Sequence, residues 1–193
     1  MNNVTPEANL FFVLLGCRPI GRKTEQHDVF AGIGTDLRSL IPAIQASWPE
    51  SGGKLHLDAW RQVRFVAGYR VHVVDGSRPH GLAEKRKSLW FVNLGGYAAG
   101  FFEEFHQKLL LVAEDQADAI FQAKQQPFFK EYHMQNGGAA HIDDKWLFEV
   151  DDVASVDSLL PPEMRDAWHI VLEPDASGEE DPIHLGYFKL SSL

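Results

Sequence analysis

The sequence repeats itself, because residues 89–112 resemble residues 10–33 when the chain is shifted by 79 positions. Eight of the 24 aligned positions are identical, whereas ordinary residue frequencies give about one or two. The identical pairs are Leu10 and Leu89, Phe12 and Phe91, Val13 and Val92, Leu15 and Leu94, Gly16 and Gly95, Gly21 and Gly100, Glu25 and Glu104, and His27 and His106. A duplicated chain is expected to fold as two copies of one unit, so this repeat restricts the architecture more than any other feature.

A second block continues the repeat after a six-residue insertion. His56-Leu57-Asp58 corresponds to His141-Ile142-Asp143, and a tryptophan follows each block, at Trp60 and Trp146. The predicted organisation is an N-terminal tail (1–9), a first repeat (10–77), a charged connector (78–88), a second repeat (89–175), and an acidic loop with a closing strand (176–193).

The sequences of the two halves predict the same order of secondary-structure elements. Residues 10–16 and 89–95 are short apolar runs that end at a glycine, which is typical of buried strands. Residues 28–33 and 107–112 are apolar enough for a second strand in each half. Asp36 and Asp115 follow these strands, where a carboxylate can cap a helix. Pro42 predicts that the first helix is kinked or begins after Asp36. The unit is therefore β-β-α-β-β, present twice. The predicted fold class is α+β, mainly antiparallel sheet with helices packed on one side.

The remaining segments predict shorter elements. Strands are expected at residues 54–58 and 140–143, and one further strand in each half at residues 69–74 and 168–172. Residues 173–181 hold five acids with Pro174 and Gly178, which predicts a mobile acidic loop, and residues 187–190 predict a closing edge strand.

Composition excludes several classes of protein. The 193 residues are 45% hydrophobic and 11% aromatic, which excludes a disordered chain. The single cysteine, Cys17, excludes a disulfide framework and a multi-cysteine zinc site, and it is expected to be a small core residue. No window of eighteen apolar residues occurs, so we predict a soluble, cytoplasmic protein with no membrane partner. The net charge of −9 argues against nucleic-acid binding, which depends on neutralising phosphates.

The charge is unevenly distributed along the chain. Residues 1–88 carry 12 Lys and Arg against 8 Asp and Glu, a net of +4, whereas residues 89–193 carry 6 against 19, a net of −13. Such asymmetry suggests a basic partner-binding half or a head-to-tail contact between copies in a homodimer. The alternative is an ordinary solvated surface without a specific partner.

The repeated Glu-x-His and His-x-Asp elements are the main candidates for chemistry. Residues i and i+2 of a strand share a face, so Glu25 pairs with His27 and His56 pairs with Asp58. If the two strands are neighbours, two imidazoles and two carboxylates converge. Such a group suits a structural hydrogen-bond network, a ligand or divalent-metal contact, or acid–base catalysis. The counterparts in the second half are Glu104, His106, His141 and Asp143. The presence of these residue types in both halves fits a structural role.

The loop between the first two strands differs between the halves. Arg18, Arg22 and Lys23 occupy the first loop, and their counterparts are Tyr97, Phe101 and Phe102. A cluster that only one copy keeps suggests a specific role. We therefore predict that any small anionic ligand binds this loop together with Glu25, His27, His56 and Asp58. The alternatives are solvated cations, or cations that cover acidic surface within the molecule or across a dimer.

The strings Leu10-Phe-Phe-Val-Leu-Leu-Gly16, Glu25-Gln-His-Asp-Val-Phe30, Leu40-Ile-Pro-Ala43 and Leu55-His-Leu-Asp-Ala-Trp60 resemble a bacterial family catalogued as domain of unknown function 1543. The resemblance covers most of residues 10–75 and, more weakly, residues 89–146. It implies one or two copies of a domain, which agrees with the repeat, and it implies no reaction, cofactor or site residue.

No nucleophile elbow, phosphate loop or cofactor fingerprint occurs in the sequence. We therefore predict a non-enzymatic binding or interaction module, without a cofactor or an assigned metal site. The alternative is a small hydrolase or lyase, metal-dependent or not, that uses Glu25, His27, His56 and Asp58.

Overall fold

A computed structural model describes residues 7–76, 87–97, 100–128 and 150–193. The chain divides into a first unit (Met1–Leu82 with Asp157–Leu193) and a second unit (Ala83–Val156). In chain order the elements of the described residues are β1 (Asn9–Cys17), β2 (Gln26–Gly34), α1 (Ile41–Ser47), β3 (His56–Gln62), β4 (Phe65–Val66), β5 (Tyr69–Asp75), β6 (Ser88–Tyr97), β7 (Glu104–Ala113), α2 (Gln116–Ala123), β8 (Val150–Ser155), α3 (Val156–Leu159), α4 (Pro162–Ala167), β9 (Trp168–Pro174) and β10 (His184–Lys189).

The strands form three sheets, in which every described pairing is antiparallel. The first unit contains a four-stranded sheet of order β10-β3-β1-β2 and a three-stranded sheet of order β4-β5-β9. The second unit contains a three-stranded sheet of order β7-β6-β8. The predicted α+β class with mainly antiparallel sheet is confirmed.

The first core lies on one face of β1. Alternate residues of this strand, from Phe11 to Cys17, are buried against Leu40 and Ile44 of the helical segment. Alternation is expected because successive side chains of a strand point to opposite faces. The opposite face of β1 carries Gly16.

The proline in the first helix is explained by where the helix begins. Helix α1 starts at Ile41, so Pro42 lies in its first turn, where no intrahelical amide is needed. The Asp36 carboxylate accepts a hydrogen bond of 2.8 Å from the Ser39 amide, within the 3-10 turn that precedes α1. The predicted later start is therefore correct, and Asp36 caps the preceding turn rather than α1 itself.

The second unit packs α2 against β6 and β7. Its core joins Val92 and Leu94 to Ala119 and Ala123, so small helix residues face the sheet. Asp115 is the N-cap of α2, and its carboxylate accepts a 2.9 Å hydrogen bond from the Asp118 amide. This predicted cap is confirmed.

The segment that follows the second unit in the chain does not belong to the repeat to which the sequence analysis assigned it. Residues 168–172 were expected to complete the second repeat, but β9 pairs with β5 and belongs to the first unit. The closing strand, β10, pairs with β3 of the same unit. Pairing partners distant in sequence cannot be read from local periodicity, because that periodicity reports only which face of a strand is buried. The predicted strand at residues 140–143, the tryptophan at 146 and connector residues 78–86 lie outside the described residues.

The acidic loop is anchored to the first unit by two of its carboxylates. The Asp181 side chain is buried and accepts hydrogen bonds from the backbone amides of Arg64 and Phe65. The Asp175 carboxylate accepts a 2.6 Å hydrogen bond from the Ser177 hydroxyl and a 2.7 Å bond from Arg70 Nη2. The expectation of a mobile loop did not include the contacts with Arg64, Phe65 and Arg70, which join residues more than 100 positions apart.

The Asp175 contacts predict a pH dependence. The Ser177 hydroxyl, the Ser177 amide and Arg70 lower the pKa of Asp175 from 3.8 to about 2. Because the folded-state pKa is the lower one, the stabilisation is complete above about pH 4 and is lost as the pH falls through about 2. A carboxyl NMR titration should give a midpoint near the lower value. Ser177→Ala and Arg70→Gln should each raise this midpoint, and a wild-type midpoint at the ordinary value would contradict the assignment.

Candidate functional site

Four predicted residues meet on the face of the first sheet that carries Gly16. His27 lies in β2 and His56 in β3, and both pair directly with Gly16 of the strand between them. The two outer strands are therefore not neighbours, although the sequence predicted convergence only on the condition that they were. They converge across β1 because the residue between the two histidines is a glycine.

The contacts within this cluster link all four side chains. His27 Nε2 lies 3.2 Å from Asp58 Oδ2. His56 Nε2 lies 3.0 Å from Glu25 Oε1 and 3.3 Å from Asp58 Oδ1. We call Glu25, His27, His56 and Asp58 the His-carboxylate cluster.

Backbone features place Asp58 in the cluster. The register between β1 and β3 shifts at Leu14 and Leu15, which face Ala59 and Leu57 and leave Asp58 as the extra residue of a β-bulge. A bulge redirects the side chain of its extra residue. A Cβ atom at Gly16 would overlap both Asp58 Oδ2 and His56 Nε2. The cluster therefore requires glycine at this position.

The cluster contains buried polar atoms whose hydrogen bonding is incomplete. His56 is only 4% exposed, whereas the side chains of Glu25 and His27 are about half exposed. Neither His56 Nε2 nor Asp58 Oδ2 has a partner with hydrogen-bond geometry, despite the short distances. Buried polar atoms in native proteins are nearly always hydrogen-bonded, so these two need an explanation such as a bound ion or water.

Tyr187 is a member of the site that the sequence analysis did not identify. Its ring stacks on the His56 imidazole, with centroids 4.1 Å apart and an interplanar angle of 29°. Tyr187 reaches this position because β10 pairs with β3. The sequence signal for a strand at residues 187–190 was present, but it did not identify the neighbouring strand.

The three loop cations are not part of the cluster contacts. Arg18, Arg22 and Lys23 are exposed, and within the described ranges their side chains make no hydrogen bond or ion pair. The two histidines assigned to the same anion site face carboxylates instead. The structure thus brings together four of the seven predicted ligand-binding residues.

Cys17 belongs to the core on the opposite face of β1. The residue is fully buried, and its sulfur lies 3.7 Å from the Ser51 carbonyl oxygen. Burial raises the pKa of the Cys17 thiol, and the Glu25 carboxylate adds to the increase. A buried thiol with a raised pKa is a poor nucleophile, which agrees with the predicted core role.

The Glu-x-His element of the second unit, Glu104 and His106, makes a longer contact than those in the His-carboxylate cluster. His106 Nε2 lies 3.9 Å from Glu104 Oε2, and both side chains are about one-third exposed. The predicted counterparts His141 and Asp143 lie outside the described residues. Strand β8 pairs with β6 in the same way that β3 pairs with β1. The register between β6 and β8 also shifts, at Asn93 and Leu94.

Comparison with known proteins supports the fold. Residues 22–73 match a family described as Domain of Unknown Function (DUF1543). The chain is also similar to the crystal structure of a protein Il1583 from Idiomarina loihiensis. The TM-score is 0.65 and the sequence identity 26%, over 95% of this chain and 98% of that chain. A search of the curated proteins found no match. The family match lies within the first predicted repeat, and these similarities assign neither an activity nor a ligand.

No helix among the described residues is long and apolar enough to cross a membrane.

Proposed function

We propose that the protein is a binding module that holds a divalent transition-metal ion at the His-carboxylate cluster. The observation that carries this proposal is the pair of buried atoms, His56 Nε2 and Asp58 Oδ2, which lack hydrogen bonds although they face other potential ligands. Imidazole nitrogens and carboxylate oxygens are the ligands that Zn²⁺ commonly takes. A structural ion-pair network, the main alternative, would be expected to align these contacts as hydrogen bonds.

The spacing of the cluster is compatible with such an ion. Zinc ligands lie at about 2.0–2.2 Å from the metal, so tetrahedral neighbours are about 3.3–3.6 Å apart. The nitrogen–oxygen distances of 3.0–3.3 Å are close to this value. Within the described part of the chain, no group of three or more His, Cys, Asp or Glu side chains is arranged to hold a metal ion as it stands. Binding therefore requires small rotations of Glu25 and His27, whose side chains are about half exposed.

Zinc retention by tag-free protein tests the proposal. Equilibrium dialysis should show one Zn²⁺ per chain, and His56→Gln should weaken binding at least tenfold, since loss of outer-shell partners alone costs about 10–100-fold. His72→Gln is the matched control, because His72 Nε2 lies 3.1 Å from Glu173 Oε2 in the same unit but outside the cluster. Failure of the wild type to retain zinc would contradict the proposal, as would an equal loss in the control variant.

Anion binding at Arg18, Arg22 and Lys23 stays a prediction, as does the alternative of a small hydrolase or lyase. The exposure of the three cations supports an anion site that is separate from the cluster. A thermal-shift screen of nucleotides, sugar phosphates and dicarboxylates on the wild type and on Arg18→Ala/Arg22→Ala tests it. An anion that stabilises only the wild type is the expected result.

We also infer that the two units arose by duplication. The hairpins β1–β2 and β6–β7 have the same register once the offset of 79 is applied, for example Leu10 with Ile33 and Leu89 with Val112. The register shifts at Leu14/Leu15 and Asn93/Leu94 are also equivalent at that offset. The agreement of the strand register and of the register shift supports a common origin for the two hairpins.

A further inference from the structure

We propose that copies of this chain associate through two unlike hairpin tips. The basic tip, between β1 and β2, comprises Arg18, Ile20, Arg22 and Lys23. The aromatic tip, between β6 and β7, comprises Phe101, Phe102 and Glu103. In the proposed contact, the basic tip of one copy binds the aromatic tip of another.

Both tips expose apolar side chains. Ile20 is 88% exposed, Phe101 is 64% exposed and Phe102 is fully exposed. Isolated exposed apolar residues are common, but adjacent aromatic residues at a loop tip are typical of an interaction surface. Aromatic residues and arginine are also the types enriched in protein interfaces.

The two tips are chemically complementary. Positions 22 and 23 carry cations in the first hairpin, and the equivalent positions in the second hairpin carry Phe101 and Phe102. A guanidinium placed over a phenyl ring is attracted to its π face, and the chain already contains such a pair, with Arg70 5.0 Å from the Phe65 ring centroid. Glu103 adds a carboxylate beside the two rings. The opposite net charges of the two sequence halves favour the same orientation.

A second copy of the chain is the occupant that these observations favour. The basic tip alone would suit many acidic partners, but one chain supplies both complementary surfaces, so the basic tip of one copy can contact the aromatic tip of another. The contact should be weak, because each tip is small compared with a standard interface of about 800 Å² per partner. It should also weaken with salt, since the charges are exposed.

Sedimentation velocity over a wide concentration range tests the proposal. Wild-type protein should associate reversibly at low salt and dissociate at high salt. Arg18→Ala/Arg22→Ala and Phe101→Ser/Phe102→Ser should each weaken association at least tenfold. An equimolar mixture of the two variants should associate as a 1:1 complex, because one variant keeps the aromatic tip and the other keeps the basic tip.

Control variants carry the same changes elsewhere. Phe121→Ser removes another exposed phenylalanine and Arg38→Ala another exposed cation, and neither should alter association. The proposal is overturned if the wild type stays monomeric at low salt, or if the mixture does not associate. Retention of association by Arg18→Ala/Arg22→Ala would indicate contact between two aromatic tips and would equally overturn it. Circular dichroism of each variant verifies folding.

Discussion

Asp181→Ala is expected to lower the free energy of unfolding by about 3 kcal/mol, measured by urea denaturation. The Asp181 carboxylate is buried and accepts hydrogen bonds from two backbone amides, those of Arg64 and Phe65. It also accepts a 2.9 Å bond from Arg64 Nε. Removal leaves the buried amide of Phe65 and the part-buried amide of Arg64 without this partner, and an unsatisfied buried group costs about 1–3 kcal/mol. The loss should also loosen the acidic loop from the turn between β3 and β4.

The neighbouring residue provides the control for this prediction. The Glu180 side chain is 75% exposed and lies 4.0 Å from Arg61 Nη1, so Glu180→Ala should change the free energy of unfolding by less than about 0.5 kcal/mol. If the Asp181 and Glu180 variants are equally stable, then the buried carboxylate does not anchor the loop.

Gly16→Ala is expected to cost about 1–3 kcal/mol of stability and to abolish zinc retention. The added Cβ atom would overlap His56 Nε2 and Asp58 Oδ2, so the two side chains that define the centre of the cluster must move apart. His56 has little room to move, because it is buried and stacked against Tyr187. The measurements are urea denaturation of the apo-protein and equilibrium dialysis with Zn²⁺.

Gly95→Ala makes the same change at the equivalent position of the second unit, opposite His106. Zinc retention by this variant should equal that of the wild type, because the proposed site lies in the first unit. Full zinc binding by Gly16→Ala would contradict the proposed geometry even if the variant were destabilised.

The sequence by itself determined the local structure of this protein. Apolar runs ending at Gly16 and Gly95 predicted the first strand of each hairpin, and Asp115 predicted the start of α2. These predictions succeed because alternation, caps and turns are set by residues close together in the chain. The same reasoning selected Glu25, His27, His56 and Asp58 as a candidate site.

Only the tertiary structure decided how these residues meet. Strand β1 separates β2 from β3, and the four side chains converge because Gly16 leaves space and a bulge redirects Asp58. The stacking of Tyr187 on His56 likewise depends on pairing between β10 and β3, more than 120 positions apart in sequence. A strand's sequence encodes which of its faces is buried but not which strand lies beside it, and that choice is made by the packing of the whole unit.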